Sequence, residues 1–261
     1  MSHREAWTSR TTNLLIPAVH TSGTSVLDDG SHGKFKTDRI YSDNRPEDID
    51  ALPNDAPHGP MNLEIVKAAK ELGEKAKIAI MIPPVIYGSN PKHRRLTIQF
   101  PTTVRFALKN GYAPVVGKGL ALESRIHMLD SARAYGTLLH WMEQSSPTEV
   151  LKNRYFFCEN GEELSWPEVA ENVGRTLHEK GLLKDAKPRV VPKEQYDDLF
   201  GDFTPAVIGL NSRSRAVRLR ELGWEPNGKG IWQSWEEDEL PELSKEEDRG
   251  KSSAYTGVAV K

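Results

Sequence analysis

Apolar and polar positions fall into blocks that read as helices joined to short, buried strands. The run Leu14–Val19 passes directly into the small polar stretch Thr21-Ser22-Gly23-Thr24-Ser25. Pro17 lies within it and cannot donate to a sheet ladder, which argues against a central strand. Residues 28–60 are rich in Asp, Gly, Pro and Asn and show almost no periodicity. A loop of that length in a compact domain is usually functional or mobile. Met61, Ile65, Ala68 and Leu72 recur at spacings of 4, 3 and 4, one face of a helix that Gly73 can close. Ile78-Ala79-Ile80-Met81-Ile82 then runs unbroken to Pro83-Pro84. Such a run predicts a strand buried on both faces, as in a parallel sheet covered by helices.

Further along, Pro101–Leu108 predicts a short helix with proline in its first turn. Tyr112–Val116 and Ser124–Met128 predict strands on either side of Gly117-Lys118-Gly119. A helix running to about Met142 has Ala132, Tyr135, Leu138, Leu139 and Met142 as its apolar side, and Tyr155–Cys158 is another buried-strand candidate. Ser165-Trp166-Pro167-Glu168 is a capping box that opens a helix with Val169, Val173 and Leu177 inward. Ser212–Leu222 predicts a basic helix closed by Gly223. From Glu236 onward the mixed charge and low hydrophobicity predict an unstructured tail.

Composition narrows the classes. The 261 residues carry 35 Lys+Arg against 37 Asp+Glu, a net charge of −2. That balance gives no chain-wide basic field for nucleic acid. No apolar run is long enough for a transmembrane helix, and the first residues lack the apolar core of a signal peptide. The single cysteine, Cys158, excludes a disulfide framework and a cysteine zinc site within one chain. These features predict a cytoplasmic protein with no metal site.

Two segments have the composition of ligand loops. The hydroxyls of Thr21–Ser25 follow a strand directly, where a parallel sheet lines its ligand crevice, or they form a plain polar turn. Ile82-Pro83-Pro84-Val85-Ile86-Tyr87-Gly88 leaves a buried strand through a rigid bend, either as a ligand loop or as a strand terminator. Arg213 and Arg215 either hold a phosphate or carboxylate or belong to a solvated helix face. His127, alone before a helix, reads as structural.

Taken in order, the TSGTS strand, PPVIYG, RIHMLDSARAY, YFFCENGEELSWPEVAENVG and NSRSRAVRLRELGWEP resemble the extended short-chain dehydrogenases/reductases of the NAD-dependent epimerase/dehydratase group. The resemblance spans about residues 18–226. It implies an α/β fold: an incomplete Rossmann-like parallel sheet with helices, plus a smaller α+β C-terminal substrate lobe. It divides the chain into a leader without structure (1–13), Rossmann segments (14–90 and 121–160), lobe segments (91–120 and 161–235) and a charged tail (236–261). It also implies NAD or NADP as cofactor, with Pro84, Val85, Ile86 and Tyr87 beside the nicotinamide, and a small-molecule carbonyl or hydroxyl substrate held by Arg213 and Arg215.

The chain departs from the family pattern at three points. It has no glycine-rich dinucleotide turn, which places roughly 100 residues of the family plan ahead of its start. None of its seven tyrosines is followed four residues later by lysine. Aligning the helix before the PPVIYG strand puts His58 near the tyrosine position and Asn62 near the lysine position, so His58 is the candidate acid/base. The assisting hydroxyl falls to Ser22 or Thr24. Two functions follow: an impaired NAD(P)-dependent epimerase, dehydratase or reductase, or a non-catalytic binding or interaction protein of the same fold. A parallel sheet without its first strands would also expose an edge, which predicts self-association.

Overall fold

The computed structural model describes residues 15, 17–90, 92–93 and 95–248. The expected leader and the end of the tail lie outside these residues. In chain order the principal elements are β1 (Pro17–Thr21), α1 (Gly59–Leu72), β2 (Lys77–Ile82), β3 (Val85–Tyr87), α2 (Gln99–Asn110), β4 (Leu122–His127), α3 (Met128–Gln144), β5 (Tyr155–Phe157), β6 (Glu163–Ser165), α4 (Trp166–Glu179) and α5 (Leu240–Asp248).

The α/β class is as expected. β1, β2 and β5 form a parallel sheet in that order, with Pro17 opposite Lys77 and Ile80 opposite Tyr155. β2 is central, and Ala79, Ile80, Met81 and Ile82 are fully buried. Pro17 is the first residue of an edge strand, a place where a missing donor breaks no ladder. The core beneath this sheet gathers Leu138 and Met142 of α3, Phe156 and Phe157 of β5, and Leu219 and Trp224. Lys77 ties the sheet to the C-terminal end of α3, donating from Nζ to the Met142 and Glu143 carbonyls at 2.9 and 3.1 Å. A cation suits the negative end of the helix dipole.

A second, mixed sheet has the order β6–β4–β3. β3 and β4 run parallel and β4 and β6 antiparallel. Its core joins Phe100 and Val104 of α2 with Trp166, Val169 and Val173 of α4. Ser165 caps α4 by accepting the Glu168 N–H, but the reciprocal arm of the capping box is not formed, because Glu168 Oε1 accepts from Trp232 Nε1 at 3.1 Å.

Four expectations change. The buried face of α1 is Asn62 and Ala69, with Ile65 and Val66 half-buried, while Met61 and Leu72 are exposed. A buried asparagine sets the phase of this helix, so counting apolar residues alone misplaced its inner face. The expected helix Ser212–Leu222 is helical only over Val217–Glu221. Ser214 and Arg215 instead pair with Tyr41 and Ser42. The charged tail is helical as far as Asp248. Trp235, Leu240 and Leu243 are buried among its acidic residues, so apolar burial offsets the ordering that composition alone could not.

The 28–60 loop, finally, is tied down by Asp43. Its carboxylate accepts the Phe157, Val217 and Arg218 N–H groups at 3.0, 2.9 and 3.1 Å. No helix among the described residues is long and apolar enough to cross a membrane.

Candidate active site

The end of β1 is held against β2 beyond the last strand residue. Ser22 N donates to the Met81 carbonyl at 2.8 Å, and Thr24 N donates to the Pro83 carbonyl at 3.0 Å. A single helical turn, Thr24–Leu27, follows and anchors the loop through buried Val26 and Leu27. The TSGTS stretch is thereby fixed at the carboxyl end of a parallel strand.

α1 begins directly opposite. His58 precedes the helix in a left-handed conformation with φ of 63°, a region that residues other than glycine enter rarely. This backbone swings the imidazole over Gly23. A Cβ at Gly23 would lie 3.0 Å from His58 Nε2, so the ring occupies the space a side chain there would fill. Gly59 is needed for the same turn, since a Cβ there would meet the Asn54 carbonyl oxygen at 2.8 Å. The structure thus seats His58 on Gly23, the residue between Ser22 and Thr24, with Asn62 one turn further along α1 and His20 at the end of β1.

This cluster is poorly satisfied. His20 Nε2, Ser22 Oγ and Asn62 Oδ1 are buried and have no hydrogen-bond partner. Buried polar atoms are normally paired. Burial pushes the His58 imidazole below its usual range, and nearby His20 adds to the effect. Burial lowers His20 as well, with Asn62 opposing from alongside. Both rings are therefore neutral at pH 7. A neutral imidazole can take a proton from an alcohol or donate a hydrogen bond to a carbonyl.

The other candidate residues are engaged elsewhere. Pro84, Val85 and Tyr87 are buried, and Ile86 is half-buried. The Tyr87 hydroxyl donates to the Lys229 carbonyl at 2.9 Å, and Tyr87 meets His127 edge-on. Arg213 and Arg215 converge on one carboxylate oxygen, Glu163 Oε1, at 2.8 and 3.1 Å. Arg213 also donates to the Thr37 carbonyl. The pair cross-links the lobe, and Arg215 borders an open hollow of about 610 Å³ with Gly161, Val217 and Arg220. His127 accepts the Leu129 N–H at Nδ1, and its Nε2 is buried without a hydrogen-bond partner. Cys158 is buried, and burial pushes its thiol up to about 12.

Sequence reading missed Glu123, which is fully buried behind the site. It accepts from Trp166 Nε1 at 2.5 Å and from Ser212 Oγ at 3.2 Å, and Ser212 Oγ in turn accepts from Thr24 Oγ1 at 3.3 Å. Nothing in the local pattern marks this glutamate, because its partners Trp166 and Ser212 come from two distant segments.

No family model matches the chain, and no curated protein matches it. Solved structures do match in fold. The dTDP-glucose 4,6-dehydratase of Streptomyces venezuelae, solved with NAD, superposes with a TM-score of 0.55 at 17% identity, covering 88% of this chain and 59% of that one. The chain is similar to this protein in fold. The UDP-glucuronic acid 4-epimerase of Bacillus cereus gives 0.56 at 16% identity, covering 87% and 61%. The UDP-glucose 4-epimerase of Thermotoga maritima gives 0.55 at 13% identity, covering 89% and 64%. This chain therefore spans about three-fifths of the length of these proteins.

Proposed function

We propose that this chain is an epimerase/dehydratase-like protein that binds a small-molecule carbonyl or hydroxyl compound at Ser22, Thr24 and His58, with His58 as its acid/base group. The observation that carries this reading is the His58 imidazole seated over Gly23, close in the chain to buried polar atoms without partners. An acid/base and a substrate hydroxyl or carbonyl need this kind of close, water-poor placement.

NAD(P) is the cofactor that the fold suggests, since related structures were solved with NAD. The residues described do not supply a complete site for it. They contain no glycine-rich strand-to-helix turn for a pyrophosphate, and Pro84, Val85 and Tyr87 are packed inside protein. No chemical step is therefore assigned to the cofactor. That same burial favours a second reading, a binding protein of this fold without turnover.

Fluorescence titration of the 261-residue chain with NADH and NADPH separates the two. The enzyme reading expects saturable binding below millimolar cofactor. No binding at millimolar cofactor removes that reading for this chain and leaves the binding protein.

A further inference from the structure

Behind the candidate site, three side chains from distant parts of the sequence form a continuous row. Thr24 stands in the turn after β1, next to the glycine that seats His58. Ser212 lies in the segment that bridges to β4, where it is paired with Glu123. Glu123 lies on β4, 3% exposed, and Ser212 is fully buried. The two hydrogen bonds of the row, from Thr24 to Ser212 and from Ser212 to Glu123, both point toward the carboxylate. The second carboxylate oxygen is held by the indole N–H of Trp166.

A hydroxyl donates one hydrogen and accepts others. A row of two hydroxyls ending on a carboxyl group therefore has two self-consistent arrangements. When Glu123 is ionised, every hydrogen points inward, and the outer lone pairs of Thr24 are left to accept. When Glu123 carries a proton on Oε2, it donates to Ser212, Ser212 donates to Thr24, and the Thr24 hydrogen is turned outward. Trp166 can keep its bond to Oε1 in both arrangements, so it holds the carboxyl in place while the row reverses.

We propose that Thr24, Ser212 and Glu123 form a hydrogen-bond wire that reverses with the proton on Glu123, so that Thr24 offers a donor to a ligand carbonyl in one state and an acceptor to a ligand hydroxyl in the other. This rests on the site assigned above and deepens it. A protein that handles a carbonyl compound and the corresponding alcohol must recognise both, and one hydroxyl of fixed polarity serves only one of them well. In this role Glu123 is a positioning residue that acts through Ser212. Burial pushes its carboxyl up to about 8 against the Trp166 and Ser212 donors, and Asp28 adds to the rise. Asp28 is the charged group that bears on it, and the contacts from α4 and from Ser212 are neutral. Both states are thus accessible within about a pH unit of 8.

The test uses the ligand-free chain with labelled threonine methyls and labelled glutamate carboxyls, followed by NMR from pH 6 to pH 10. The Thr24 methyl should inflect at the same pH as the Glu123 carboxyl. The inflection at Thr24 should vanish in Ser212→Ala, while Glu123 still titrates. If Ser212→Ala does not fold, Glu123→Gln carries the same comparison, with the Thr24 inflection absent. Acetone and 2-propanol then serve as carbonyl and alcohol probes. The apparent Kd of acetone at Thr24 should rise by up to about tenfold per pH unit above the inflection, while that of 2-propanol should fall by up to about tenfold per pH unit as pH rises toward the inflection and level off above it. A Thr24 methyl that ignores Glu123, or two probes with the same pH response or none, overturns the proposal. No cofactor enters this experiment, so a failed NADH titration and a failed wire are separate results.

Discussion

Replacing Asp43 with asparagine tests the contact that fixes the long 28–60 loop to the rest of the molecule. The carboxylate accepts three backbone N–H groups, and Asn153 Nδ2 donates to the Asp43 carbonyl at 2.6 Å. Two forces compete over its proton. Burial pushes the carboxyl up, while the Phe157 and Arg218 N–H groups and the Arg218 guanidinium pull it down; burial wins, and the group rises from 3.8 to about 6. A group whose folded value is raised contributes stability that is fully present below its unfolded value and is lost as pH rises through the folded one. Wild-type stability should therefore fall by about 1.4 kcal/mol per pH unit between about pH 4 and 6, or about 3 kcal/mol in all. Asp43→Asn cannot titrate and lacks this slope, although it loses a bond to one N–H at a cost of about 1–3 kcal/mol. Urea unfolding of both proteins at half-unit intervals from pH 4 to 7.5 gives the difference directly. The gap between them should narrow by about 3 kcal/mol as pH rises. Parallel curves would refute the reasoning, because the three donors would then have outweighed burial and kept Asp43 ionised throughout.

Two further outcomes follow from the site and the tail. In any assay that detects turnover, His58→Ala should lower the rate by about 10²–10⁴-fold with cofactor affinity little changed, and wild-type activity should decline as pH drops through a value below 6.5, where the imidazole protonates; an unchanged rate takes His58 out of the chemistry. Trp235→Ala removes a side chain that is 1% exposed and should cost about 3–5 kcal/mol in urea unfolding, with faster tryptic cleavage at Lys245 as α5 comes loose. Wild-type values in both measurements would mean that the acidic tail does not depend on its tryptophan.

The strands were legible because burial on both faces leaves an unmistakable apolar run, as in Ile78–Ile82. The helix opened by Ser165 was legible because capping is local chemistry. The site was partly legible: an offset along one helix placed His58 and Asn62, and a strand end placed Ser22 and Thr24. What escaped depends on distant partners. Glu123 is linked to Thr24 only through Ser212, a residue far from both in the chain, and Arg213 and Arg215 look free until Glu163 arrives between them. The tail misled because Leu240 and Leu243 are too few to alter the average of an acidic stretch, yet with Trp235 just ahead of it they are enough to dock a helix.

The left-handed backbone at His58 has an evolutionary consequence. A side chain in that conformation costs the fold on the order of 1 kcal/mol, and glycine would relieve the strain. Selection for stability alone would push this position toward His58→Gly, the change that removes the imidazole from Gly23. The histidine is thus a small, standing load on the fold, and the two residues form one heritable unit. A side chain at position 23 presses the ring aside, and without the ring the glycine at position 23 has nothing to make room for.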